Sequence, residues 1–172
     1  TPELFQYNLS SGQAFYYFGS VLINNIPAEY NDWVAAFKGD ICVGARQWDT
    51  SLCGSGVCDL PVMSDDGSPE TEGYMNPGDV PSFKIYDSSE NEYFDAIPSQ
   101  DYPWENFGFY NIDVLRTEEN VTILISQDGS GDFSAIQEGI DAAYDGDIVR
   151  VAPGTYTGDN NIDLNLYGRA IT

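Results

Sequence analysis

The chain has 172 residues, 42% hydrophobic and 14% aromatic, which is too apolar for a disordered segment and enough for a packed core. Its 28 Asp and Glu against 6 Lys and Arg give a formal net charge of −22, a surface that repels phosphate backbones and anionic lipids and so argues against nucleic-acid and membrane partners. No His is present, which removes the usual imidazole base and transition-metal ligand; a metal would be a hard cation held by oxygens, Ca2+ first, and no organic cofactor is indicated.

Most of the carboxylates read as a solvated, salt-adapted surface. No apolar run is long enough to span a bilayer, and "TPELFQYNLSS" is not a signal peptide, so an exported protein has lost its leader or carries it outside this sequence.

Residues 1 to about 116 read as short strands parted by turn chemistry, with no long segment of helical period. "LFQYNLS" is the first candidate and "QAFYYFGSVLI" the second. In the latter, Phe15 and Tyr17, or Tyr16 and Phe18, share a face, so one pair belongs to the core. "WVAAFKGD" alternates less cleanly and is expected to be covered on both faces for part of its length. "ICVGARQW" follows, with Cys42 read as a buried, inert thiol. "SLCGSGVCDL" puts four residues, two of them Gly, between Cys53 and Cys58, which lets the chain fold back into a disulfide and indicates an oxidising, extracytoplasmic setting. Spacing alone leaves a pairing of Cys42 with either one open.

After the strand "LPVMSD", the loop "MSDDGSPETEGY" gathers Asp65, Asp66, Glu70 and Glu72 around a Gly. That oxygen density suits a structural Ca2+, although it lacks the EF-hand order, and the plainer reading is an acidic surface loop with two turns. "SFKIYD" has the period of a sheet with one buried face, Phe83 and Ile85 pointing the same way. "EYFDAI" and "NFGFYNIDVL" complete the set. Many short strands at this spacing predict an antiparallel β-sandwich, jelly-roll or Ig-like, over residues 1–116. Flat rings with a polar edge suit sugar faces, so Trp48 and Trp104, which stand beside turn residues, and Tyr17 are the candidate glycan-binding side chains.

"LRTEEN" reads as a linker, and a second region over residues 117–172 follows. "VTILIS" is a strand, "QDGSGD" a turn, and "SAIQEGIDAAY" a short helix with Ser134 as N-cap, Gln137 completing a capping box, and Ile136, Ile140 and Ala143 on one face. "DIVRVAPGTY" and "NIDLNLYGRAIT" are strand-like. This last third of the chain, from "VTILISQDGSGDFSAIQEGIDAAYDGDIVRVAPGTY" onward, resembles the entry of a right-handed parallel β-helix of the pectate-lyase and pectin-methylesterase type. The resemblance implies a truncated solenoid start, a capping α-helix and a first coil. The first two-thirds, through "DWVAAFKGDICVGARQWD", "VMSDDGSPETEGYM" and "FKIYDSSENEYFDA", resemble β-sandwich modules of secreted marine-bacterial proteins. That likeness implies secretion or surface display and an accessory part in adhesion or glycan binding.

Enzymes of the β-helix type carry their catalytic groups on coils well inside the solenoid, so no catalytic residue carries over to this chain. Asp128, Asp132, Asp145 and Asp147 read as turn and cap residues. The sequence therefore predicts a non-catalytic extracellular accessory module of a larger secreted or surface solenoid protein. Its rivals are the N-terminal fragment of a polysaccharide lyase or esterase whose catalytic coils lie beyond residue 172, and a structural spacer of an adhesin. The open end of a one-coil solenoid is expected to pack on the sandwich or on a second copy of the chain, the latter making a homodimer.

Overall fold

Strand β1, Gln13–Ile23, organises the first part of the protein in a computed structural model that describes residues 1–117, 121–144, 146–168 and 171–172. The chain divides into two compact units, Thr1–Glu118 and Glu119–Thr172. In the first unit β1 alternates, burying Ala14, Tyr16 and Phe18 and turning Phe15 and Tyr17 to the outer face. Strand β2 (Ile26–Pro27) pairs antiparallel with the end of β1, and β5 (Cys58–Met63) pairs antiparallel with its first half. On the other edge β8 (Phe109–Arg116) runs parallel to β1. The sheet continues from β8 through β7 (Glu92–Pro98), β6 (Ser82–Asp87), β3 (Trp33–Lys38) and β4 (Ile41–Gln47), each antiparallel to its neighbour. β7 meets β8 at Ile97 with Arg116 and Pro98 with Leu115.

This is one eight-stranded mixed sheet curled into a half-barrel, which corrects the predicted antiparallel sandwich, jelly-roll or Ig-like. The alternation in β1, β5 and β6 does mark a sheet with one buried face, but a single curled sheet supplies both sides of the core. Tyr16, Phe18, Val34, Val43, Leu60, Val62, Phe83 and Ile85 form the centre with Trp48 and Trp104. Each large apolar side chain so buried contributes roughly 1.5–3 kcal/mol. Phe18 stands edge-on to Phe83 at 5.3 Å and to Trp48 at 5.9 Å.

Where β4 approaches β5, the contact is backbone on backbone. A Cβ at Gly44 would run into the Pro61 carbonyl oxygen and stand 3.0 Å from its carbon and 3.2 Å from Val62 Cα, so only glycine fits. Beside it, Arg46 Nη1 donates to the Asp59 carbonyl at 3.2 Å and pairs with the Asp59 carboxylate. The loop between β4 and β5 is stapled by the Cys53–Cys58 disulfide, and Cys42 remains a buried free thiol whose burial pushes it up to about 11.

"LFQYNLS", expected as a strand, instead makes a 3-10 turn at Glu3–Phe5. The reason lies in Phe5, which is buried on the outer face of the sheet against Phe37, Tyr86 and Tyr93, edge-to-face at 5.8, 6.5 and 5.3 Å. β3 is accordingly covered on both faces: Val34 and Ala36 belong to the inner core, Ala35 and Phe37 to this outer cluster.

In the second unit β9 (Thr122–Ile125) and β10 (Ile148–Val151) form a parallel pair, with helix α1 (Ile136–Ala142) beside them. Gly139 permits that approach, since a Cβ there would be 2.7 Å from Ile125 Cδ1. Ser134 is not the N-cap. Ala135 holds that position without a side-chain bond, and the Ile136 N–H donates instead to Asn161 Oδ1 at 2.9 Å. Gln137 is drawn away from the predicted capping box because it exchanges two hydrogen bonds with the Asn165 backbone. "NIDLNLYGRAIT", expected as strand-like, has a 3-10 turn at Asp159–Asn161 just before and within it, and no strand over residues 162–168. Ile162, Leu164, Leu166 and Tyr167 are exposed.

A parallel solenoid needs stacked repeats, each supplying a rung to the next. The described residues of this unit hold one two-stranded sheet and one helix, so the truncated β-helix start, and with it the likeness to pectate lyases and pectin methylesterases, does not stand. In "LRTEEN", Leu115 and Arg116 are buried residues of β8 rather than linker, and residues 118–120 lie outside the described residues.

Candidate functional site

Strand register assembles an aromatic platform on the outer face of the half-barrel. Phe15 is level with Phe109 on β8 and Pro61 on β5, and Tyr17 is level with Asn111 and Asp59. The Phe109 ring lies within 18° of parallel to the rings of Phe15 and Tyr17, at 5.3 and 6.5 Å. Local alternation explains it. Ile112 and Val114 turn into the core, so Phe109, Asn111 and Asp113 face outward. Among the described residues β7 pairs with β8 only at Leu115 and Arg116 and no strand lies on the far side of the first half of β8; Phe109 is 65% exposed.

The turn feeding β8 is held in an unusual conformation. Phe107 has φ 59° and is 62% exposed. A bulky residue in this left-handed region costs about 1–2 kcal/mol and persists only where its surroundings over-determine it. Here the Phe107 N–H donates to Gln13 O at 2.8 Å, the Gln13 N–H to Asn106 Oδ1 at 3.1 Å, and the Phe15 N–H to Gly108 O at 2.8 Å.

Of the side chains expected to contact sugar, Tyr17 stands in this platform. Trp48 and Trp104 do not: they are 3% and 1% exposed, and Trp104 Nε1 donates to Val62 O at 3.0 Å. Turn residues flank both tryptophans in sequence, but the rings fold inward to fill the concave side of the curl. Phe109 was missed although its signal was present, in the alternation of "FYNIDV" about the buried Ile112 and Val114.

In the acidic loop, Asp65 accepts from the N–H of Gly67 and of Gly73. Asp66 accepts from the Ser11 N–H, the Thr71 hydroxyl and the Ser68 N–H, and these donors, Ser11 first, hold its carboxyl far below the usual range. The neighbouring charges are thus met by protein donors. Asp65 and Glu72 line a depression of about 380 Å³ with Gly67, Ser68 and Pro69, and Glu70 and Glu72 line another of about 370 Å³ beside Tyr7 and Cys42. Among the described residues no three His, Cys, Asp or Glu side chains gather in a way that could hold a metal ion.

In the second unit Asp128 accepts from the Ser126 hydroxyl and the Ser130 N–H, which hold it at about 2. Asp132 accepts from the Leu124 N–H, and Asp147 from those of Val121 and Tyr144, while Asp145 lies outside the described residues. No helix among the described residues is long and apolar enough to cross a membrane. Comparison with family models, curated proteins and solved structures finds no match.

Proposed function

We propose that this chain is a non-catalytic extracellular accessory module that contacts glycan through the outer face of β1 and β8. The observation that carries the reading is the near-parallel grouping of Phe15, Tyr17 and Phe109, with Phe109 largely exposed and Asn111 and Asp113 following it on the same strand face. The exposed part of this ring stack offers apolar surface to the C–H groups of a pyranose, while the adjacent Asn111 amide can accept from and donate to its hydroxyls and the Asp113 carboxylate can accept from them. The Cys53–Cys58 disulfide supports an extracytoplasmic setting, where such bonds persist.

A glycan array probed with the full chain and with Phe109→Ala tests it. Binding to at least one glycan class, lost in the variant while its melting temperature is retained, is the expected result. An array with no binder removes the reading.

A further inference from the structure

Resting on that reading, we infer that the glycan taken by the platform is uncharged, and that the protein rejects uronate- and sulfate-bearing polysaccharides. The argument is one of charge at the site and around it. Residues 1–118 carry nineteen acidic side chains against four basic ones. Three of the four are committed within the fold: Lys38 to Asp79, Arg46 to Asp59, and Lys84 to Asp95. The fourth, Arg116, is buried in β8.

An anionic sugar is recognised by a guanidinium or ammonium that replaces its hydration with charge-assisted hydrogen bonds. On the outer face of β8 it would meet Asn111 and then Asp113. Arg46, whose partner Asp59 is level with Tyr17, is already held by the Asp59 carboxylate and carbonyl. Neutral hydroxyls meet no such obstacle. They donate to the Asp113 carboxylate, and they exchange donor and acceptor with the Asn111 amide. The flanking Pro61 and the Phe15, Tyr17 and Phe109 rings add apolar surface without charge.

Phe107 keeps a conformation that glycine would adopt freely, and it places a second exposed aromatic ring two residues before Phe109.

Affinity gel electrophoresis and titration calorimetry of the full chain test the inference. Soluble galactomannan and β-1,3-glucan serve as neutral polymers, and alginate, polygalacturonate and carrageenan as anionic ones. Binding of a neutral polymer is expected, with an affinity that changes less than about twofold between about 50 mM and about 500 mM NaCl, because no ion pair is screened. Phe109→Ala and Tyr17→Ala should each weaken it by about tenfold or more at unchanged melting temperature. Anionic polymers should show no retardation at the lower salt.

Retention by an anionic polymer that is sensitive to Phe109→Ala overturns the charge inference and leaves the glycan-binding platform standing. Absence of any polymer binding, or binding indifferent to both substitutions, overturns the two together. So does concentration-dependent self-association in sedimentation that Phe109→Ala abolishes, since the platform would then be an interface between copies of the chain.

Discussion

Replacing Gly44 by alanine adds one methyl group at the point where β4 meets β5, and the structure fixes what that methyl must displace. It would overlap the Pro61 carbonyl oxygen and stand 3.0 Å from the carbonyl carbon, with Val62 Cα at 3.2 Å, so no side-chain rotation relieves it. The two strands must part by about 1 Å or more, and overpacking of this kind costs roughly 1–3 kcal/mol, toward the upper end where backbone is the obstacle. Parting them also loosens Val43, Leu60 and Val62 in the core and strains the half-exposed Arg46–Asp59 pair, itself worth under about 1 kcal/mol. The stiffer unfolded chain returns about 0.4–1 kcal/mol. We expect Gly44→Ala to lose about 2–3 kcal/mol, or roughly 10 °C in melting temperature for a unit of this size.

Urea unfolding followed by tryptophan fluorescence reads this directly, since Trp33, Trp48 and Trp104 all belong to the half-barrel unit. Gly54→Ala is the control, because a Cβ there meets nothing within 4 Å and its backbone is not left-handed. A Gly44→Ala midpoint within about 0.5 kcal/mol of the parent, which is the ordinary range for surface changes, would refute the close approach of β4 and β5.

Three further outcomes follow from the same structure. Trp104→Phe should lower stability by about 1–3 kcal/mol, through the lost bond to Val62 O and the space left behind, while leaving any glycan affinity unchanged; a loss of binding at constant stability would return Trp104 to the site. Replacing Cys53 and Cys58 together by alanine should lower the urea midpoint by an amount equivalent to about 2 kcal/mol, the value for so short a loop, and make the midpoint indifferent to reductant; a parent whose midpoint does not move with reductant would count against the staple. Asp66 and Asp128 have carboxyls held low in the folded state, so on acidification the unfolded chain takes up protons first. Their contribution is complete above about pH 4 and is lost as pH falls toward about 2. Unfolding midpoints by circular dichroism should therefore fall below about pH 4, less steeply in Asp66→Asn and Asp128→Asn, and a midpoint that rises down to pH 3 would show that relief of like-charge repulsion prevails.

Seven of the eight strands of the half-barrel were legible in sequence because alternation and turn residues act locally; β2 fell in a stretch that reads as a turn, and "LFQYNLS" made no strand. Phe83 and Ile85 face inward as their spacing requires, and β3 is covered on both faces as its mixed pattern requires. How the sheet closes was not legible. A buried row reports that something lies opposite, and the same row serves a second sheet or the far side of the same sheet once it curls. The parallel pairing of β1 with β8 joins segments some ninety residues apart, and no local pattern encodes it. The platform shows the same limit. Alternation placed Tyr17 correctly with one of two sets, but its neighbour Phe109 is supplied by that long-range register, whereas Trp48 and Trp104 were judged by flanking turns that say nothing about where a ring points. In the second unit the helix pattern was sound, but Gln137 and Asn161 found partners across the fold that a capping motif cannot anticipate.

The outward edge of β5 is also a statement about how copies of this protein behave toward one another. A strand edge invites another chain through its free carbonyls and N–H groups. Along β5 the Asp59 carbonyl is taken by Arg46, the Met63 carbonyl by the Met75 N–H, and Pro61 between them has no N–H to give and turns its carbonyl to Gly44. An incoming strand finds these carbonyls engaged and one N–H missing, so the β5 edge is a poor template for strand addition.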